Sequence, residues 1–298
     1  MVRDIACEEA MMEGLRAKAA AAMVVAHPGH ELLMYGWLES VRPSLFVLTD
    51  GSGRSGESSI KQTARLAQKL GIKPGSFFGR YTDRQIYQSL INHDYGLFIG
   101  FVDELVAYLT AAEISYMVTD SAEGYNPTHD LCHIIACAAV SIANRNRLIP
   151  IDLYEYPVVG NPMNTNDPLN PEAIVNRTSD ACFQRKLDAA RAFYPALALQ
   201  VETTLANPNS HITAAAGLTP MADNFTGGLN DLKTECLRPV NTDNLNFNGF
   251  AGKPFYETRG EANILAGHYE KVIRLREHIS PVVDALRRHA SKNIYAWA

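Results

Sequence analysis

A chain of 298 residues, 47% hydrophobic and 20% charged, has ordinary globular composition and the length of one large domain or two small ones. Its net charge of −5 offers no basic face to DNA or RNA, and no apolar stretch approaches the roughly 18 residues of a membrane span. Five cysteines, an odd number without a metal-type CxxC pair, point to packed thiols and a cytoplasmic setting.

Residues 4–20 carry acids throughout and read as an amphipathic helix, not a signal peptide. The apolar run AMVVA that follows closes at His27 in front of Pro-Gly, the pattern of a buried strand entering a tight turn. A short helix is expected over 32–40 and a second strand over 45–49, followed by the loop DGSGRSG. Next come a helix over 59–70 stopped by Gly71, a third strand at 76–78, and helices over 83–92 and 98–111. A strand over 115–120, an apolar helix over 130–144 and a strand over 151–158 complete this part.

Strands alternating with helices imply parallel βαβ units, so the expected fold is α/β: a three-layer sandwich with a mainly parallel, Rossmann-like sheet. After residue 160 the character changes. Residues 160–177 and 206–254 are rich in Asn, Pro, Gly and Thr and read as long loops. Helix is expected over 178–205, broken at Pro195, and again over 257–288. The chain thus divides into an α/β core with a metal site, residues 1–160, and a loop-rich and helical C-terminal extension, residues 161–298, packing on it.

The chemistry gathers at two stretches, AHPGHE and EGYNPTHDLCH. His27, His30 and Glu31 fall at the C-terminal end of a strand, where open α/β sheets place their sites. His129 and His133 stand at i and i+4, on one helix face. Three imidazoles from two strand ends can meet around one divalent metal. Neutral imidazoles suit zinc, and three protein ligands with an open position is its catalytic arrangement. The plainer alternative has His133 packed inside and His129 closing the turn. GSGRSG fits a phosphate-binding glycine pattern, but it follows the second strand, and no acid closes a strand about 20 residues on, so a lining loop competes with nucleotide binding.

These residues carry a family resemblance. AHPGHE resembles the AHPDDE motif of the LmbE-like, or PIG-L, family of zinc-dependent N-acetylglucosaminyl deacetylases. VVAHPGHE, LTDGSGRSG and NPTHDLCHIIACAAV stand in that family's order at similar intervals, and IKQTARLAQKLG fits its helix. The likeness covers about residues 20–157, with a weaker echo in FQRKLDAARAF. It implies that His27 is the first zinc ligand, that His30 stands in for a ligand Asp, and that His129 is the third ligand, with Glu31 as the motif's Glu. Gly29 falls where the family has its general-base Asp. Asn126 replaces the His that stabilises the oxyanion, and Thr128 replaces the motif's Asp.

Three neutral ligands leave a zinc ion more positive, able to lower the pKa of water towards about 7. Losing acid–base help typically costs about 10² to 10⁴ in rate. Asp50 and Asp120 end neighbouring strands and are the candidate replacement carboxylates, with Glu123 and Asp130 also flanking the site. The Asn126 amide is the candidate oxyanion donor. The resemblance therefore implies a zinc-dependent hydrolase that deacetylates an N-acyl sugar or related small metabolite, with no nucleic-acid or membrane partner and its oligomeric state open. The rival is a non-catalytic metal- or ligand-binding relative that has lost the general base.

Overall fold

The computed structural model describes residues 20–53, 55–145, 147–162, 173–207, 219–242 and 252–292. The helix expected over 4–20 lies outside them. The first half runs β1 (Ala21–Val25), α1 (Tyr35–Val41), β2 (Ser44–Thr49), α2 (Ile60–Leu70), β3 (Lys73–Tyr81), α3 (Asp83–Ile91), α4 (Tyr95–Ala111), β4 (Tyr116–Asp120), α5 (Pro127–Asn144) and β5 (Asp152–Tyr156). The second half adds β6 (Ile174–Arg177), α6 (Asp180–Phe193), α7 (Pro195–Ala206), α8 (Thr219–Asn224), β7 (Thr234–Pro239), α9 (Phe255–Leu265) and α10 (Ser280–Lys292).

The strands form one sheet in the order β3-β2-β1-β4-β5-β7-β6. The first five are parallel, and β7 runs antiparallel to both β5 and β6. Helices cover both faces. Ala22 and Val24 of β1 pack with α4, α5 and α10, while Met23 and Val25 pack with α1, α2 and α6. A strand covered on both sides has no polar face, which is why β1 and β4 are buried along their whole length. Among the described residues no helix is long and apolar enough to cross a membrane.

The chain winds from β1 outward through β2 and β3, then returns to place β4 on the other side of β1. The order therefore reverses between β1 and β4, and their C-terminal ends flank the crevice where doubly wound sheets hold ligands.

The structure departs from the sequence reading in the second half. The Asn- and Pro-rich stretches contain β6 and β7, so the extension continues the sheet as well as packing on it. Ile174, Val175, Cys236 and Leu237 of these strands are buried. The expected helix over 32–40 divides into a 3-10 turn, His30–Met34, and α1. β3 is longer than expected, with register shifts against β2.

Candidate metal site

His27 comes two residues after the end of β1, and His30 opens the 3-10 turn. The backbone between them reverses at Gly29, whose φ of +99° is open to glycine and strained for other residues. Glu31 fastens the turn from inside: one carboxylate oxygen accepts from the Gly29 N–H at 2.8 Å and the other from the Tyr194 hydroxyl at 2.5 Å. His129 arrives on the first turn of α5. Pro127 suits that position because it lacks an N–H, and the Asn126 side chain caps the helix by accepting from Thr128 N at 2.8 Å.

The three rings come together. Ring centres lie 5.2 Å apart for His27 and His30, 5.2 Å for His27 and His129, and 4.5 Å for His30 and His129. Three imidazoles held tetrahedrally by zinc, with bonds of about 2.0–2.1 Å, have centres about 5 Å apart. Here the rings meet edge to face, and no group of three His, Cys, Asp or Glu among the described residues has its donors already set around an ion.

Buried acids stand behind two of the rings. His30 Nδ1 is 2.7 Å from Asp120 Oδ2. Asp120 is wholly buried at the end of β4 and also accepts from the Ala26 N–H and the Tyr156 hydroxyl. Burial disfavours a charge on His30, but Asp120 outweighs it and raises the ring's pKa. His27 Nδ1 is 2.8 Å from Thr49 Oγ1 and 3.0 Å from Asp83 Oδ1. The threonine bond is the aligned one, since the Asp83 oxygen meets the ring off the hydrogen-bond axis. Thr49 donates its own proton to Ala26 O, so the His27 proton sits on Nδ1 and leaves Nε2 as an acceptor. Burial pushes Asp83 up, yet His27 and the Gly53 N–H hold its carboxyl down at about 2.

Burial, then the neighbouring His30 and His27, depress His129 well below the usual imidazole range, so it is neutral, and its buried Nδ1 has no partner. Two ionised carboxylates behind three imidazoles favour an added cation, and a carboxylate or hydroxyl on the far nitrogen is what orients a metal-binding histidine. By donor type and ring spacing these residues are the candidate ligands of a divalent metal, although their donors are not set around one point in this structure.

The remaining candidates are placed as follows. Asn126 Nδ2 is 3.3 Å from His27 Nε2, on the side of the three rings. Asp50 follows β2 and accepts from Ser52 N at 2.9 Å. Glu123 binds the N–H groups of Val158, Val159 and Gly160, fixing a loop. Asp130 accepts from Gly124 N, and burial lifts its carboxyl to about 7. His133 turns to Cys137 and Glu155. The glycine loop spends its Ser52 and Gly53 N–H groups on Asp50 and Asp83, so carboxylates occupy donors that a phosphate would need.

Asp83 is the residue that the sequence reading missed. It follows the Thr82 cap of α3, where an acid reads as ordinary first-turn charge.

No protein-family model matches the chain, and no curated protein matches it in sequence. Among solved structures it is similar to the crystal structure of A40926 pseudoaglycone deacetylase Dbv21, at 15% identity over 76% of this chain and 98% of that one, with a TM-score of 0.43. It is also similar to the zinc-inhibited form of teicoplanin deacetylase Orf2, at 13% identity over 73% of this chain and 97% of that one, with a TM-score of 0.40. At this distance neither likeness bears on activity.

Proposed function

We propose that this chain is a zinc-dependent hydrolase that deacetylates an N-acyl sugar or related small metabolite in the cytoplasm, as its resemblance to the LmbE-like deacetylases implies. The observation that carries the reading is the meeting of His27, His30 and His129 at the switch point of the sheet, with Asp120 and Asp83 behind two of the rings. In this reading His27, His30 and His129 hold the metal. Bound there, zinc supplies a Lewis acid for the amide carbonyl and acidifies water.

The chain's own groups do the rest. Asp120 fixes the tautomer and orientation of His30, and the Thr49 bond does the same for His27, with the Asp83 charge beside it. The Asn126 amide, oriented by the bond its oxygen takes from Thr128 N, donates to the developing oxyanion. Asp50, just past the end of the strand next to β1, is the candidate base that takes the proton from water.

Metal analysis of the purified protein, followed by turnover of a panel of N-acetylated amino sugars, tests the proposal. One bound zinc and release of acetate support it. A protein without affinity for divalent metal sinks it. The second reading, a non-catalytic metal- or ligand-binding relative, is favoured by Gly29 in the place of the family's base and by the bonds that already engage Asp120 and Asp83. Metal binding without turnover of any amide would select it.

A further inference from the structure

Beyond the three-ring cluster, one group of nucleophilic and titratable side chains is left without a task. His133 stands one helical turn past His129 on α5, and Cys137 one turn further, so i,i+4 spacing puts all three along one face. The Cys137 thiol lies 3.4 Å from His133 Nε2. The other ring nitrogen, Nδ1, lies 3.2 Å from Glu155 Oε2 on β5. The second Glu155 oxygen is 2.8 Å from Arg238 Nη2 on β7. A thiol, an imidazole and a carboxylate thus stand in line, each on a regular element of the fold. The Nδ1 contact is off the hydrogen-bond axis, so the carboxylate acts on the ring through charge.

We propose that Cys137 is a reactive thiol, activated by His133 and Glu155, and a site of modification by small soft electrophiles of the peroxide class. His133 Nε2 takes the thiol proton, and the sulfur lone pair attacks one peroxide oxygen. The S–O bond forms as the O–O bond breaks. The departing hydroxide recovers the proton from His133 and leaves as water. Sulfur is oxidised by two electrons, the peroxide is reduced, and Cys137 becomes a sulfenic acid.

The surroundings suit this chemistry. A thiol within reach of an imidazole whose positive charge a carboxylate favours is an arrangement that activates nucleophilic cysteines. The imidazolium formed on proton transfer is met by Glu155 from β5, with Arg238 beyond it on β7 and Asp130 one turn back on α5. Burial opposes a charge on His133, yet Cys137 and Glu155 outweigh it and push the ring up to about 10. Access is narrow but present: Cys137 and His133 keep 8% and 9% of their surface exposed. Cys132, on the same helix, keeps none, and burial drives its thiol well above the usual range. It is an internal control for an inert thiol.

The test uses the intact wild-type chain, pulse-labelled with iodoacetamide or treated with hydrogen peroxide and trapped with dimedone. Peptide mapping reads each cysteine. Cys137 should label faster than Cys182 and Cys132, and His133→Gln should slow it by roughly tenfold or more while Cys132 stays unlabelled. Glu155→Gln should slow it less and displace the pH dependence of labelling, which a purely structural role would leave in place. A native protein whose Cys137 stays unmodified while Cys182 reacts overturns the proposal, as does a His133→Gln chain labelled at the wild-type rate. Labelling of Cys132 would show that His133→Gln has unfolded, and the Glu155→Gln rate and pH profile then decide.

Discussion

His30 and Asp120, 90 residues apart in the chain, meet at 2.7 Å where the sheet changes direction. The carboxylate that receives His30 also takes the Ala26 N–H and the Tyr156 hydroxyl, so it joins the ends of β1, β4 and β5. Its geometry suits orienting a ring more than accepting a proton from substrate. Asp120→Asn should therefore weaken zinc affinity by about 10- to 100-fold, as loss of an outer partner of a ligating histidine does. Competition with a chelator measures this, with circular dichroism to confirm the fold. Unaltered affinity would remove Asp120 from the site.

His129 and His133 share a helix but should part company on substitution. His129→Gln is expected to abolish stoichiometric metal binding. His133→Gln should leave it unchanged, because that ring is engaged by Cys137 and Glu155. Equal losses in the two variants, read by elemental analysis, would contradict the ligand set.

For catalysis, Asp50→Asn should lower turnover of the best amide substrate by roughly 10² or more while metal content is kept, as for a lost general base. A variant with full turnover would shift proton transfer away from Asp50.

The sequence resemblance suggests that an Asp at position 29 would supply the base that the LmbE-like motif has there. The structure argues otherwise. A Cβ there would lie 2.9 Å from Leu197 Cδ2, at a φ of +99°. Gly29→Asp and Gly29→Ala should each cost about 1–3 kcal/mol of stability through backbone strain alone. Urea unfolding checks this, and Leu197→Ala in the same chain should recover only the steric part.

The pH dependence of stability follows from His133. Burial opposes its charge, but Cys137 and Glu155 raise the ring from 6.5 to about 10. A base raised in the fold contributes stability that is complete below the unfolded value and is lost as pH rises through the folded one. The lead of the wild type over His133→Gln in urea midpoint should be largest below pH 6.5 and shrink as pH approaches 10. A lead that grows with pH would reverse the assignment.

Much of the fold is legible because β1 and β2 are nearly continuous apolar runs between turn signals, the mark of strands covered on both faces. β6 is only four residues long, and β7 reads TECLRP, with an acid at its second position. Glu235 is nonetheless 1% exposed, because the N–H groups of Gly36 and Trp37 and the Asn176 amide satisfy it. Partners nearly 200 residues away in the chain leave no local periodicity to read. The site divides in the same way. Ordered motifs bring the three histidines to one place, whereas Asp83 reaches His27 only through the packing of α3 against the glycine loop.

Glu31 holds the turn between His27 and His30 to the Tyr194 hydroxyl, which is itself 2.6 Å from Thr63 on α2. The segment carrying two proposed ligands is thereby bolted to the junction of α6 and α7, in the second half of the chain. Thermodynamic reciprocity then ties the two: if a cation at the histidines steadies this turn, it lowers the equilibrium opening of α7, and a change that favours that opening weakens the cation by the same factor. Proteolytic protection around α7 becomes a remote gauge of occupancy at the histidines.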